Sequence, residues 1–322
     1  MEPKKLKALI DERWPGTAVA STLQLARAGI DERVMTAGVR SGMLLRLRRG
    51  AYVQRAYWNT LKPWDRDRLL ITAHYESTGG QARYSHISAA RLHSCYLWNA
   101  GPMVHVTTQY ANSPGSAGSD VKAHRLPLTD RELTTIRTPD GRDMLTTSLE
   151  RTVLDCARIL PLDQAAVIGD HALRKGASVH AMHRLLSETP AKRGSRRALD
   201  LLNVLDGRSE SAGETRTRLM LHSFGLQTFT PQVEVPTSEG LFRADFADPE
   251  SRVIIEFDGT AKYTDYKPAE EVLLAERRRE NALVETGWRV LRLHWKHLDR
   301  PRELNERLIT FLDRTPGMQK RP

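Results

Sequence analysis

Three acidic side chains in the last third of the chain have a spacing that suits metal binding. Asp245 lies in a strand-like run, and a turn at 248–251 separates it from an apolar run that ends in Glu256 and Asp258. Side chains two apart on a strand share a face, so Glu256 and Asp258 project together, and a hairpin would bring Asp245 beside them. Converging carboxylates repel one another unless a cation lies among them. Their oxygen atoms suit Mg²⁺ or Mn²⁺, and such a site can assist phosphodiester hydrolysis.

A plainer interpretation of the same residues stays open. Asp258-Gly259 is also a common hairpin-turn signal, and Glu256 alone is compatible with a solvent-facing position at a sheet edge. Lys262 follows closely and adds a positive charge beside the carboxylates. The elements around these residues therefore bear on the choice.

The flanking sequence predicts an αβββαβα order of elements. A capping-box pattern at 211–214 opens a helix that ends at Gly225. The expected elements after it are strands at 232–235, 241–246 and 252–257, a helix at 269–286, a strand at 288–294 and a helix at 298–312.

This segment, 209–312, resembles the nuclease-like domains related to very-short-patch-repair endonucleases, within the PD-(D/E)XK restriction-endonuclease fold. The resemblance covers about a third of the chain. It rests on Glu214, Arg243-Ala-Asp245, Ile255-Glu256-Phe-Asp258-Gly259, Arg279-Glu280-Asn-Ala-Leu283 and Gly287-Trp288-Arg-Val-Leu-Arg292.

The resemblance implies roles for individual residues. Asp245 and Glu256 would bind the metal, Asp258 would be a third ligand or the base for the attacking water, and Glu214 would be an outer partner. The family pattern has a lysine where this chain has Asp258, so Lys262 is expected to supply that charge from the following loop. If Lys262 does not reach the site, the domain binds metal or DNA without cutting.

One further arginine matches a family position. Arg279 lies among three consecutive arginines of the helix predicted at 269–286. A solvated face partnered by neighbouring glutamates is the simple interpretation. Contact with DNA phosphates is the functional alternative, and Arg279 is its best candidate.

Composition favours an anionic partner. The chain has 322 residues, enough for two or three domains, and its 49 Lys+Arg against 39 Asp+Glu give a net charge of +10. A basic surplus of this size indicates an anionic partner, and nucleic acid is the first candidate for that partner. Cys95 and Cys156 lack metal-type spacing, which predicts a reducing compartment. With neither a signal region nor a run long enough for a membrane span, the expectation is a cytoplasmic protein without membrane association.

The first sixty residues predict helices followed by a β-hairpin. Asp31 is the expected N-cap of a helix over 32–41, and the preceding helix is joined to it by a tight Gly-containing turn, the pattern of a helix-turn-helix. The segment from Val39 to Arg55 contains five arginines and no acid, which favours binding to DNA phosphates over a merely solvated hairpin. The candidate DNA-binding residues here are Arg40, Arg46, Arg48 and Arg49.

The segment Gly42–Val53 resembles the winged-helix domain of AbiEi-type antitoxins, regulators of toxin–antitoxin systems and phage defence. The same family implies an α/β middle domain, marked here by the run from Arg151 to Asp155. Those two residues, four apart, are most simply a helix salt bridge. We expect the histidines of this segment to be packing or surface residues: His86, His93 and His105.

Together these features predict a multidomain α/β protein. Residues 1–60 form a winged helix-turn-helix, 61–190 an antitoxin-like α/β domain, 191–208 a basic hinge and 209–314 a restriction-endonuclease-like domain. The expected function is DNA binding with Mg²⁺- or Mn²⁺-dependent endonuclease activity, in phage defence or a toxin–antitoxin context. Two alternatives remain: a non-enzymatic transcriptional repressor or antitoxin with an inactive nuclease fold, and a protein that neutralises a cognate toxin.

Overall fold

The chain, seen here as a computed structural model, divides into two compact units. The N-terminal unit comprises Met1–Leu160 and Ser178–Leu199, and the C-terminal unit comprises Pro161–Ala177 and Asp200–Pro322. The structure describes residues 2–108, 119–188, 193–259 and 269–313, with only the backbone for 269–276. The expected mixed α/β, multidomain organisation is confirmed, with several small sheets. Within these described ranges, no helix combines the length and the apolar character needed to cross a membrane.

Local capping signals set the beginning of the N-terminal unit. The side chain of Ser21 accepts a hydrogen bond from the Gln24 backbone in a capping box, and that of Asp31 caps the next helix in the same way at Val34. The elements are α1 (Pro3–Arg13), β1 (Ala20–Ser21), α2 (Thr22–Arg27), α3 (Glu32–Arg40), β2 (Leu44–Arg48) and β3 (Ala51–Gln54). The strands form one sheet in the order β1-β3-β2. The predicted helices and hairpin are confirmed.

Small sheets and helices alternate through the middle of the chain. The elements are α4 (Arg55–Thr60), α5 (Pro63–Ser77), α6 (His86–Leu92), β4 (Val104–Thr108), β5 (Val121–Arg125), β6 (Leu133–Arg137), β7 (Asp143–Thr147), α7 (Leu149–Ile159), α8 (Leu162–Arg174), α9 (Val179–Glu188) and α10 (Ser195–Leu202). Strands β4 and β5 pair in parallel, and β6 and β7 pair antiparallel. Helix α8 belongs to the C-terminal unit.

The predicted order of elements is present in the C-terminal unit. The elements are α11 (Ala212–Ser223), β8 (Thr230–Thr237), β9 (Gly240–Asp248), β10 (Val253–Phe257), α12 (Ala269–Glu285), β11 (Arg289–Leu293), α13 (Trp295–Leu298) and α14 (Pro301–Asp313). The four strands lie in the order β11-β10-β9-β8, and within this sheet only the pair of β10 and β11 is parallel. In place of the single predicted final helix there are two, α13 and α14, and α14 begins at a proline.

The apolar run of β10 is buried on both faces of this sheet. Ile255 packs in one hydrophobic cluster with Leu221 and Leu304 from α11 and α14, while Ile254 packs in another with Leu283 from α12. Helices thus cover both faces, which explains why the strand is uniformly apolar. Because β10 lies between β9 and β11, the alternative interpretations of a sheet-edge Glu256 and a hairpin turn after β10 are wrong.

A glycine allows α11 to approach β10, the strand that carries Glu256. A Cβ atom on Gly213 would lie 1.9 Å from Cε1 of Phe257, well inside van der Waals contact. Only glycine fits this crossing. The close approach places the first turn of α11, including Glu214, beside the end of β10.

Candidate functional site

Asp245 and Glu256 lie on neighbouring central strands of the C-terminal sheet. The last regular pair between β9 and β10 is Phe246 with Ile255, so the next positions are Asp245 and Glu256. The backbone N–H of Asp245 donates to Glu256 Oε1 (3.1 Å), and that of Phe257 donates to Asp245 Oδ2 (2.8 Å). Each carboxylate is therefore oriented by a backbone donor of the opposite strand.

Glu214 adds a third carboxylate from the first turn of α11. It accepts hydrogen bonds from the Glu210 backbone (2.8 Å) and from Nε2 of Gln232 (3.0 Å). Burial raises the pKa of the Glu214 carboxyl, and the negative charge of Asp245 raises it further. Both effects disfavour the ionised form, so a cation near Glu214 and Asp245 would be stabilising.

Replacing Glu214 with glutamine tests this electrostatic environment without any assay of activity. Because the pKa of Glu214 is raised, the folded protein binds this proton more tightly than the unfolded chain does. The ordinary pKa of a glutamate, which applies to the unfolded chain, is 4.5. In chelator, the wild type should therefore lose stability relative to Glu214→Gln as the pH rises from 4.5 through the raised pKa of the folded protein. Thermal unfolding of both proteins between about pH 4 and pH 8 measures the difference. A difference that is independent of pH would contradict the prediction.

Gln232 was not predicted to take part in the site. It has a positive φ of 57°, in the left-handed region that residues other than glycine seldom adopt. The register between β8 and β9 is the same on both sides of this residue, since Pro231 pairs with Phe246 and Val233 pairs with Ala244, so Gln232 lies opposite Asp245. The left-handed conformation accompanies the hydrogen bond that the Gln232 side chain donates to Glu214. No local sequence signal marks it.

Asp258 is paired with an arginine. Its carboxylate lies 3.1 Å from Nη1 of Arg292 on β11, and Nη2 of the same arginine lies 3.2 Å from Glu280. Its backbone N–H donates to the carbonyl of Leu293 (2.8 Å), which continues the parallel pairing. The charge of Asp258 is thus balanced by Arg292, whose position was noted in the sequence only as a landmark of the resemblance.

Two predicted site residues of this unit remain. Lys262 lies outside the described residues, and Arg279 is exposed on α12. Among the described residues, Asp245, Glu256 and Glu214 do not form a group of possible metal ligands whose donor atoms all lie within 4.8 Å of one another. The structure nevertheless places these three carboxylates near one another, with Asp258 just after the end of β10.

The arginines of the N-terminal hairpin differ in their surroundings. Arg40, Arg46 and Arg49 are exposed. Arg48, in contrast, forms a 2.6 Å ion pair with Asp120 and its side chain is only 15% exposed. The expectation that no acid opposes these arginines is wrong for Arg48, because the fold brings a carboxylate from 72 residues away.

Three histidines of the N-terminal unit lie together. His86, His105 and His124 place one ring nitrogen each within 4.8 Å of the others. The rings of His86 and His124 stack with centroids 3.5 Å apart, and Nδ1 of His105 lies 2.9 Å from Nε2 of His124. His86 and His105 are buried, but their group could also hold a metal ion, so the expectation of packing or surface roles stays a prediction. His124 was missed, since only the parallel pairing of β4 with β5 brings it to His105.

Comparison with known proteins gives relatives without a stated activity. No protein-family model matches the chain. Two uncharacterized proteins of Mycobacterium tuberculosis, MT2308 from strain CDC 1551 / Oshkosh and Rv2248 from strain ATCC 25618 / H37Rv, are each 30% identical to it over 175 residues. These matches cover 53% of this chain and 62% of each relative, so the chain spans less than two thirds of their length.

One solved structure shows a weak likeness. The crystal structure of RV2827C protein from Mycobacterium tuberculosis is 16% identical, with a TM-score of 0.42, over 67% of this chain and 79% of that chain. Its name states no activity either. The function is therefore inferred from the chemistry of the site.

Proposed function

We propose that the protein binds DNA and that its C-terminal unit hydrolyses phosphodiester bonds with the help of Mg²⁺ or Mn²⁺. The supporting observation is the convergence of Asp245 and Glu256 on adjacent strands with the buried Glu214 beside them. Their donor atoms are all oxygens, the ligand type that these ions prefer. The proposal extends the resemblance of this segment to nucleases of the PD-(D/E)XK fold.

The residues have distinct roles in this proposal. Asp245 and Glu256 would bind the ion. Glu214, which accepts a hydrogen bond from Gln232, would be an outer partner of these ligands. The ion, when bound, supplies a Lewis acid that polarises the phosphate and lowers the pKa of water. Asp258, which is paired with Arg292, is the candidate base for the attacking water. Arg292 also brings the positive charge that the family pattern takes from a lysine, in addition to Lys262.

The N-terminal unit would deliver this activity to DNA. Residues 1–60 combine four helices with a small sheet, which we propose is a winged helix-turn-helix that contacts phosphates through Arg40, Arg46 and Arg49. The antitoxin-like identity of 61–190, and a role in phage defence or beside a cognate toxin, belong to the same proposal.

Incubating the purified full chain with plasmid and oligonucleotide substrates tests the enzymatic part directly. Cleavage is expected with Mg²⁺ or Mn²⁺ and none with chelator. Absence of cleavage of both DNA and RNA with either ion would refute the enzymatic part and leave the DNA-binding part standing.

A non-enzymatic regulator is the second candidate. It is favoured by the aspartate at the position of the family lysine and by the pairing of Asp258 with Arg292. A repressor or antitoxin of this kind would bind one DNA site in chelator as tightly as in Mg²⁺. It would also co-purify with a toxin if it neutralises one.

The exposed hairpin arginines make a separate prediction. Replacing Arg46 and Arg49 with alanine should flatten the slope of log affinity against log salt by roughly two units, because each phosphate contact releases slightly less than one counterion. Fluorescence anisotropy across a salt series measures the slope. Arg48→Ala is the matched control and should leave the slope nearly unchanged, since Arg48 is paired with Asp120. A wild-type slope in the variant that lacks Arg46 and Arg49 would show that these arginines do not contact DNA.

A further inference from the structure

A basic cavity lies in the N-terminal unit. Its volume is about 670 Å³. It opens between β5, the end of α7 and the start of α10. The described residues that line it include five basic side chains and no acidic one: Lys122, Arg125, Arg158, Arg193 and Arg197. This concentration of one sign of charge in a concave site attracts an anion.

Arg158 is the buried member of this set. Its side chain is 5% exposed, and Nη1 lies 2.9 Å from Oδ1 of Asp155. Its Nε and Nη2 atoms are buried without a hydrogen-bond partner among the described residues. Such donors carry a desolvation cost unless an acceptor reaches them, and an ionised oxygen is the strongest acceptor for a guanidinium. A ligand in the cavity is therefore expected to present oxygens with negative charge.

The histidine cluster adjoins the same cavity through His86 and His124. Burial lowers the pKa of His86 well below its usual value and that of His124 to about 4, and the charge of Lys122 also lowers the latter. These imidazoles are thus neutral at pH 7. His86 also adopts a positive φ of 52°, a strained conformation for a non-glycine residue. Although three ring nitrogens lie close together, a divalent cation here would face the basic side chains of the cavity, which favour an anion instead.

We propose that this cavity binds a phosphate monoester of nucleotide size. Five basic side chains, with the unpartnered donors of Arg158 among them, suit the doubly charged phosphate. The volume exceeds what a phosphate alone requires and lies in the range of small-molecule sites. Ala123, Leu126 and Ile159 give apolar wall for the organic part. The phosphate belongs either to a free nucleotide or to the 5′ end of a nucleic-acid strand.

Calorimetric titration of the full chain in chelator with adenosine 5′-monophosphate tests the proposal. The nucleotide should bind, and adenosine should bind at least roughly tenfold more weakly because it lacks the charged oxygens. If adenosine binds equally well, or if neither the nucleotide nor inorganic phosphate binds, the proposal is wrong. Binding of Zn²⁺ in chelator-free buffer without any phosphate binding would identify the histidines as a metal site and overturn it as well.

Two neighbouring arginines provide a matched pair of variants. Arg197→Gln removes a charge that lines the cavity and should weaken nucleotide binding by roughly tenfold. Arg196→Gln removes the same charge one residue away, outside the lining residues, and should change it by less than about twofold. Equal effects would contradict the proposal. Arg158→Lys keeps a cation beside Asp155 but loses the unpartnered donors, and should weaken binding further.

The source of the phosphate is resolved by comparing oligonucleotides with and without a 5′ phosphate. A preference for the phosphorylated strand that Arg197→Gln abolishes assigns the cavity to a strand end. Equal binding of the two strands, with nucleotide binding still sensitive to Arg197→Gln, assigns it to a free nucleotide. Both outcomes are independent of cleavage in the C-terminal unit, so failure of the proposed nuclease activity leaves this test intact.

Discussion

Replacing Glu256 with alanine is expected to abolish Mg²⁺-dependent DNA cleavage while the protein remains folded. Glu256 is one of the two proposed ion ligands, and the other, Asp245, donates its backbone N–H to it. Loss of one such ligand removes charge stabilisation from the transition state, which corresponds to a rate loss of more than roughly a hundredfold. Cleavage of a labelled oligonucleotide with excess enzyme measures the effect, and circular dichroism reports on folding.

Glu239→Ala is the matched control for this variant. Glu239 is exposed between β8 and β9, so its removal changes the net charge equally without touching the site. It should cleave at the wild-type rate. A second readout is independent of turnover: Mg²⁺ should raise the unfolding temperature of the wild type and the control but not that of Glu256→Ala, because an ion that binds only the folded state stabilises it. If Glu256→Ala cleaves as fast as Glu239→Ala, the activity resides elsewhere.

Local sequence patterns predicted the elements well because their causes are local. The capping signals at Ser21, Asp31 and Ser211 act over three residues, and all three cap helices in the structure. Strand periodicity likewise placed Glu256 and Asp245 close together, since a tight turn joins β9 to β10. Distance along the chain is short in each case, so few alternative arrangements compete.

The partners of the site residues were not predictable in the same way. Arg292 reaches Asp258 only because β11 lies parallel beside β10. The left-handed backbone conformation of Gln232, whose Nε2 donates to Glu214, has no signal in the local sequence. The pairing of Arg48 with Asp120 depends on packing between segments far apart in sequence. A single sequence shows which side chains carry charge but not which distant ones neutralise them.

A buried group of charges lies in the N-terminal unit. Arg151 is fully buried, and its Nε donates to Asp155 (2.9 Å), which confirms the predicted pair on α7. It also pairs with Glu132, a contact absent from the prediction. Arg158 is the second partner of Asp155, at 2.9 Å. Glu132 and Asp155 are thus buried acids whose charges depend on arginines for compensation.

Replacing Arg151 with methionine should lower the free energy of unfolding of this unit by about 3–5 kcal/mol, because it leaves buried acids without their cation. Hydrogen exchange of the α7 amides measures this loss, because these amides report on the stability of the N-terminal unit alone. Arg137→Met is the control: its pair with Asp143 is 73% and 56% exposed and should cost at most about 1 kcal/mol. Adding Glu132→Gln to Arg151→Met should restore part of the loss by removing one uncompensated charge. Equal costs for the buried and exposed arginines would show that the buried group contributes no more than a surface pair.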